Sequence, residues 1–166
     1  PTGADTNSGA TLSLSWRTLT KAAAVAGIGD TVLIADGDYD GGVVMRQPGI
    51  AGLPVTFRAI NPGAAKVHGE NTTATDAILV QANYVVIDGL YISKANRAAI
   101  RVDQANHVTV RRCICVDNVT WGIFTDYSDD LLIELNECAF SHTQHGIYVS
   151  NSGDRPIVRF NLCHDN

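Results

Sequence analysis

Apolar residues recur at fixed intervals along the second half of the chain. Sets of four positions at relative offsets 0, 2, 5 and 7 start at Val85, Val108, Ile133 and Val158, and the last set ends on the polar Asp165. The starts are 23, 25 and 25 residues apart. A shorter apolar pair precedes each set, at Ile78/Val80, Ile100/Val102, Ile123/Thr125 and Ile147/Val149. Such brief alternation is typical of short β-strands, so each repeat predicts three strands.

Three strands per repeat of about 23 residues favour a parallel β-helix. When equivalent strands of successive coils stack, each pairs with the strand about 4.8 Å above or below it, and one residue type can recur at one slot. Cysteine recurs in this way at Cys113, Cys138 and Cys163. An antiparallel β-sandwich also has a strand about every 8–12 residues, but it gives no reason for cysteine to recur at one slot. We therefore predict an all-β chain of about five coils.

One helical pattern precedes the coils. Ser15 is the expected N-cap, apolar residues follow from Trp16 to Ala26 at three- and four-residue spacing, and Gly27 is placed to end the helix. We predict that this helix caps the open first coil, where the core would otherwise meet water. The strands of the first full coil are expected at residues 43–45, 55–57 and 67.

The pattern indicates one domain, with an N-terminal segment and capping helix in residues 1–30 and coils in residues 31–166. The sequence stops at Asn166 inside a coil, without a second cap, so we expect a C-terminally truncated β-helix. Its open coil end would pack on further coils of a longer protein or on another chain.

Composition narrows the class of protein. Hydrophobic residues make up 45% and charged residues 17% of the chain, which excludes a disordered protein. No apolar run approaches the roughly 20 residues that cross a bilayer, so no membrane span is predicted. The formal net charge of −5 argues against a nucleic-acid partner, because binding the phosphates requires a basic surface.

Several short segments resemble one protein family. Four are similar to the N-terminal cap of the secreted pectate-lyase-like proteins and three to their coils, namely residues 3–9, 16–19, 29–32, 37–39, 54–59, 84–90 and 145–150. Polysaccharide lyases that cleave pectate, alginate or chondroitin belong to this family. The resemblance implies a right-handed, single-stranded β-helix, a secreted or cell-surface location, a glycan groove along one outer face and often bound calcium.

The resemblance also implies a reaction and a partner. In the lyases a cation neutralises the uronate carboxylate, a basic side chain removes the C5 proton, and the 4-linked sugar leaves by β-elimination. The expected partner is therefore an acidic polysaccharide. The same scaffold also carries adhesins and phage tailspikes. Two hypotheses stay open: a lyase-like enzyme, and a non-catalytic carbohydrate-binding or structural module.

The strands that contain Ile100, Ile123 and Ile147 define a candidate glycan-binding face. Their outward neighbours form columns from coil to coil, which are Leu79/Arg101/Phe124/Tyr148, Gln81/Asp103/Asp126/Ser150 and the small residues Ala99/Gly122/Gly146. The small residues would let a ligand approach the backbone closely.

Aromatic rings on this face favour sugar binding, because they meet the C–H surfaces of sugars while polar groups take the hydroxyls. Trp121 and His145 occupy equivalent turn positions before the strand. We predict that Trp121, Phe124, Tyr148 and Arg97 bind substrate. Outward aromatics on a β-helix can instead shield a neighbouring turn, and this alternative stays open.

Lys94, Arg101 and His145 are the predicted catalytic residues. A lysine acts as a base only if desolvation or nearby positive charge lowers its pKa, and is otherwise a solvated loop residue. Histidine titrates near neutrality without such tuning, although His145 could simply be a hydrogen-bonded turn residue. Arg101 and Arg97 would attract an acidic substrate.

Four aspartates are the predicted metal ligands. Calcium needs several hard oxygen ligands in one small space, and Asp126, Asp129 and Asp130 would meet Asp103 one coil below. Ca²⁺ is therefore the candidate cofactor. Aspartate is also a common turn residue, so a structural role for these four stays open.

Two further columns of residues are predicted to have structural roles. The first consists of Asp88, Arg111, Asn136 and Asn161, of which the two asparagines are predicted to form an amide ladder. The second stacks Cys113, Cys138 and Cys163 on Leu90 in one inward slot, where free, inert thiols are expected.

Overall fold

Short strands account for most of the regular structure. The computed structural model describes residues 2–151 and 153–166, and within them the chain forms seventeen β-strands and one α-helix. In chain order the strands are β1 (Thr31–Ile34), β2 (Gly37–Asp40), β3 (Val43–Met45), β4 (Val55–Ala59), β5 (Ala65–His68), β6 (Ile78–Val80), β7 (Val85–Asp88), β8 (Tyr91–Ser93), β9 (Ala98–Asp103), β10 (Thr109–Arg111), β11 (Ile114–Val116), β12 (Trp121–Asp126), β13 (Leu132–Glu134), β14 (Glu137–Ala139), β15 (Ile147–Ser150), β16 (Ile157–Arg159) and β17 (Leu162–His164).

Each coil gives one strand to each of three parallel sheets. The first sheet has the order β1-β4-β7-β10-β13-β16, the second β17-β14-β11-β8-β5-β2, and the third β15-β12-β9-β6-β3. Equivalent strands of successive coils pair directly in parallel, as in β10 with β7 and with β13. The predicted right-handed parallel β-helix of about five coils is thereby confirmed.

The predicted alignment is right for the third sheet and wrong by two residues in part of the other sheets. Ile100 pairs with Ile78 and Ile123, as expected. In the second sheet, however, Cys115 pairs with Cys138. Leu131, not Ile133, is the equivalent of Val108, because Thr109 pairs with Leu132. Both Leu131 and Ile133 are apolar, so a shift of two residues leaves the inward–outward alternation unchanged and the pattern cannot detect it.

The cysteine column therefore consists of Cys115, Cys138 and Cys163, stacked on Ile92. Cys113 instead lies level with Leu90 and Asn136 at the corner between the first and second sheets. All four thiols are free, as predicted; Cys163, in β17, is exposed and the other three are buried. Burial raises the pKa of the Cys113 thiol to about 12, so this thiol stays protonated and inert at neutral pH.

The asparagine ladder is present, but its predicted column is wrong. The Asn136 side-chain amide donates to Asn161 Oδ1 at 3.0 Å, and its own Oδ1 accepts from the Cys113 backbone at 2.9 Å. Asp88 and Arg111 lie two positions earlier, at the ends of their strands, in a separate column with Glu134 and Arg159. The two-residue shift accounts for this error as well.

The helix begins later than the sequence pattern indicates. Helix α1 spans Leu19–Val25, and its N-cap is Thr18, not Ser15. Thr18 Oγ1 accepts from the Lys21 backbone at 3.1 Å and donates to the Asp5 carboxylate at 2.7 Å. The helix ends on extended backbone at Ala26, without the left-handed residue expected at Gly27.

The helix covers the first coil, as predicted. Leu19, Ala22, Ala23 and Ala26 are buried and belong to the same core as the coil interiors. One-turn 3-10 helices lie at Leu12–Leu14 and Gly69–Asn71. Among the described residues, no helix has the length and apolar character that a membrane crossing requires.

Candidate functional site

The outer face of the third sheet brings the predicted residues together. Phe124 pairs in register with Arg101 on one side and Tyr148 on the other. Asp126 pairs in the same way with Asp103 and Ser150. Because neighbours of an inward residue on a strand point outward, these two columns run side by side on the surface.

Three aromatic rings on this face form one stack, which we call the aromatic stack. The ring centroids of Trp121 and Phe124 are 4.3 Å apart at 22°, and those of Phe124 and Tyr148 are 5.7 Å apart at 17°. Tyr148 is the outermost ring, with 37% of its surface exposed. His145 meets the Tyr148 ring edge-on at 5.3 Å. Phe124 is only 8% exposed, so Trp121, Tyr148 and the bordering imidazole form the exposed part of the stack.

The loop before β15 supports the aromatic stack. Trp121 is the first residue of β12, three positions before Phe124, and not a turn residue as predicted. Its indole nitrogen donates to Gln144 Oε1 at 3.1 Å, which fixes the orientation of the ring. Gln144 lies in the same loop as His145, so this segment holds both ends of the stack. Sequence reasoning missed Gln144, because polar loop residues carry no periodic signal.

The column of small residues does not line this face. Ala99 is fully buried in the core. A β-carbon built on Gly122 would lie 2.5 Å from the Gly146 carbonyl oxygen and 3.0 Å from Cys138 Cβ. These positions therefore face the interior, where the third sheet packs closely on the second. The prediction that they allow a ligand to approach is wrong.

Arg101 is held between two carboxylates. Its Nη2 lies 3.3 Å from Asp103 Oδ1 and 3.4 Å from Asp126 Oδ2, and its guanidinium carbon is 5.5 Å from the centre of the Phe124 ring. Only 19% of the side chain is exposed. A guanidinium stays protonated in proteins, so Arg101 cannot accept a proton and can act only through its charge and its donors.

Lys94 and Arg97 are each paired with a carboxylate. Lys94 is 56% exposed, and its ammonium lies 3.5 Å from the Glu70 carboxylate. Arg97 binds both oxygens of the buried Asp76, with Nε 2.9 Å from Oδ1. The hydrogen bond to Asp76 raises the pKa of Arg97. This ion pair joins two neighbouring coils. Arg97, which was predicted to bind substrate, therefore has a structural contact.

The four predicted metal ligands do not form one cluster. Asp103 and Asp126 share Arg101, as described above. Asp130 instead receives two hydrogen bonds from Arg155, at 2.6 and 2.9 Å, and Asp129 accepts from the Asp154 backbone at 2.7 Å. The hydrogen bond from Arg155 lowers the pKa of Asp130.

These residues, as arranged, do not fit a calcium ion. A cationic guanidinium occupies the space between Asp103 and Asp126, where the ion would need two negative ligands. Over residues 2–151 and 153–166, no three His, Cys, Asp or Glu side chains are placed to hold a metal.

One polar pair beside the face was not predicted. His142 Nε2 lies 2.7 Å from Asp117 Oδ1, next to a surface depression of about 460 Å³. The two residues are 25 positions apart and lie on neighbouring coils. The repeat spacing was therefore the sequence signal from which their contact could have been predicted.

Comparison with known proteins identifies the same β-helix fold. A family model described as "Pel9A-like, right handed beta helix region" matches residues 1–154. The crystal structure of pectate lyase Pel9A has a TM-score of 0.73 at 17% identity, covering 98% of this chain and 43% of that chain. A rhamnogalacturonan lyase gives 0.64 at 20% identity, covering 95% and 43%.

An alginate lyase from Paenibacillus sp. str. FPU-7 is more similar in sequence, at 28% identity with a TM-score of 0.67, over 73% of this chain and 41% of that chain. The chain thus spans less than half the length of these three lyase structures. No curated protein matches the sequence.

Proposed function

Because the chain belongs to the Pel9A-like right-handed β-helix family, we propose that it is a polysaccharide-active domain of the lyase type. In this proposal an acidic, uronate-containing glycan lies along the outer face of the third sheet. A secreted or cell-surface location is part of the proposal, since the acidic polysaccharides that such lyases cleave are found outside cells.

The aromatic stack is the observation that carries the proposal. Trp121, Phe124 and Tyr148 come from two neighbouring coils and lie within 30° of parallel. Because the rings stack face to face, Tyr148, the most exposed of the three, supplies the ring on which the C–H face of a pyranose unit packs. Carboxylates and a guanidinium border the stack and can take hydroxyl groups, which is the composition expected of a sugar site.

His145 is the proposed base for β-elimination. Its ring borders Tyr148, so a sugar packed on the stack would place a ring carbon near the imidazole. The neutral imidazole takes the C5 proton, the electron pair forms the C4–C5 double bond, and the C4–O4 bond breaks. The leaving oxygen receives a proton from water. Lys94 is the second proposed base and Arg101 the proposed electrostatic partner of the substrate carboxylate.

Local charge makes a counter-ion important to this proposal. Asp103 and Asp126 outnumber Arg101, so this part of the face is negative overall and would repel a uronate. A bound cation such as Ca²⁺ would supply the missing positive charge. The two aspartates do not form a calcium site as they stand, so glycan binding and lyase activity are measured both with calcium and with a chelator.

The first test measures binding. Trp121→Ala removes the ring that joins Phe124 to the loop before β15, and we expect the affinity for pectate or alginate oligosaccharides to fall about 2- to 10-fold in calorimetry. Tyr127→Ala is the matched control, because Tyr127 is an exposed aromatic residue outside the stack. Equal affinities of Trp121→Ala and the parent protein would exclude the stack as the glycan site.

The second test separates the lyase from a non-catalytic carbohydrate-binding module. The module is the second candidate, and it is favoured by the ion pairs that occupy Lys94 and Arg97. Pectate, alginate and chondroitin are incubated with the protein, and the ultraviolet absorbance of the unsaturated product is followed. A rise that is lost in His145→Ala and kept in His142→Ala supports the lyase. Binding without any rise supports the module.

A further inference from the structure

A second surface pocket lies at the corner between the first and second sheets, whereas the aromatic stack lies on the third sheet. Its volume is about 410 Å³. One wall is apolar and is formed by Leu33, Ile60 and Pro62. The other wall is charged and is formed by Arg58, Asp88 and Arg112. We call it the corner pocket.

An unusually long corner creates the pocket. The chain passes from β4 to β5 through residues 60–64, whereas the next coil passes from β7 to β8 through residues 89–90 alone. The extra residues rest on the following coil, where Pro62 Cα would lie 3.4 Å from a β-carbon at Gly89. This is an ordinary van der Waals distance, so it is the backbone conformation of Gly89, with φ 76°, that favours glycine there. Ile60 and Pro62 thus form a ledge beside the arginines.

The charged wall has a positive excess. Asp88 is 1% exposed and accepts from Arg112 Nε at 2.8 Å and from Arg111 Nε at 3.0 Å. Arg58 lies in register with Asp88 on the neighbouring strand, but its side chain makes no hydrogen bond or ion pair with any other described residue. Arg58 and Arg112 of this wall therefore face one carboxylate, which also binds Arg111 from outside the pocket lining, in a chain whose formal net charge is −5. The N–H donors of the Arg58 guanidinium are therefore available to a ligand.

We infer that the corner pocket binds the carboxylate of an acidic sugar residue, as an accessory subsite for the glycan of the proposed function, on which this inference rests. A guanidinium fork matches a carboxylate with two parallel hydrogen bonds. The apolar ledge of Ile60 and Pro62, together with Leu33, can pack against the C–H face of the same sugar. The carboxylates beside the aromatic stack outnumber Arg101, whereas the corner pocket has more arginines than carboxylates and therefore attracts an acidic chain.

The test follows two signals at once with trigalacturonate as the probe. Backbone amide resonances of Ile60, Asn61, Gly63 and Ala64 report on the corner pocket, and the Trp121 indole resonance reports on the aromatic stack. We expect trigalacturonate to shift the corner amides, and Arg58→Ala to weaken that binding about tenfold or more. Arg58 is exposed and unpaired, so its replacement should leave the fold intact. Lys66→Ala removes one charge from the same coil on the second sheet and should not change the binding.

The outcomes are distinguishable. Shifts at Trp121 without shifts at the corner would overturn this inference and leave the proposed function standing. Corner shifts that persist in Arg58→Ala would also overturn it. Equal corner shifts with sodium sulfate would show binding of free anions and overturn sugar recognition. No shift at either place, with or without calcium, would remove both the inference and the proposed function. Arg58→Lys should bind with intermediate affinity, because it keeps the charge and loses the fork.

Discussion

Two buried carboxylates in this molecule, Asp76 and Asp88, are held by arginines from the following coil. Asp76 receives Arg97, and Asp88 receives both Arg111 and Arg112. An isolated buried carboxylate would be costly, and these pairs offset that cost while joining two coils. The same chemistry explains why Arg97 is structural although its position near the glycan face suggested a binding role. Its partner lies at a corner, outside the apolar pattern from which the face was predicted.

Asp88 gives a pH-dependent prediction. Burial by itself would raise the pKa of Asp88, but the hydrogen bonds and charges of Arg112 and Arg111 outweigh it and hold the pKa below the usual value. The stability from Asp88 is therefore present above the unfolded pKa of about 3.9 and is lost as the pH falls through the lower folded pKa. Asp88→Asn should lower the free energy of unfolding by about 1–3 kcal/mol at pH 7.

Urea unfolding at pH 7 and at pH 3 checks this prediction. The difference between Asp88→Asn and the parent protein should shrink at the lower pH. The exposed Asp154 provides the control, and Asp154→Asn should have little effect at either pH. A difference for Asp88→Asn that is equally large at both pH values would contradict the assigned role of the ionised carboxylate.

Elements in this fold have little stability of their own. The strands contain three to six residues, and α1 contains seven. Segments of that length do not persist alone in water, so each depends on its neighbours in the stack. For the strands these neighbours are the coils above and below. For the helix they are the first coil and the capping interactions at Thr18.

The cap at Thr18 gives a prediction at this scale. Thr18→Ala removes the acceptor of the Lys21 backbone N–H and one of the three donors to the Asp5 carboxylate, and should lower the free energy of unfolding by about 1 kcal/mol. Chemical denaturation provides the measurement. Ser15→Ala is the control, because Ser15 has no capping role in the structure despite its predicted one. Greater destabilisation by Ser15→Ala than by Thr18→Ala would refute the observed helix start.

At the scale of the whole molecule, close packing between the second and third sheets positions the glycan face. Gly122 directly follows Trp121 of the aromatic stack in the sequence, and it faces Cys138 of the second sheet. There is no room for another carbon, since a β-carbon at Gly122 would meet the Gly146 carbonyl oxygen at 2.5 Å. The neighbouring coil at Gly146 and the second sheet at Cys138 must both shift to admit a side chain, and the stack on the outer surface would move with them.

Gly122→Ala should therefore destabilise the protein by about 1–3 kcal/mol through overpacking and should also weaken glycan binding. Gly27→Ala is the matched control, because no atom lies within 4 Å of its added β-carbon. Denaturation midpoints and oligosaccharide affinities provide the two measurements. If Gly122→Ala and Gly27→Ala gave the same midpoint, the close contact between the sheets would be disproved.

The sequence by itself determined the winding of the chain and one face of it. Stacked coils must repeat their inward residues at nearly constant intervals, so the intervals of 23 and 25 residues revealed the β-helix and placed Trp121, Phe124 and Tyr148 together. Tertiary structure alone decided the exact register of the cysteines, because an alternating pattern is unchanged by a two-residue shift. It also decided which charges are paired, as with Arg97 and Asp76, and which are free, as with Arg58. Corners vary in length and carry no period, so contacts between them depend on how successive coils stack in space.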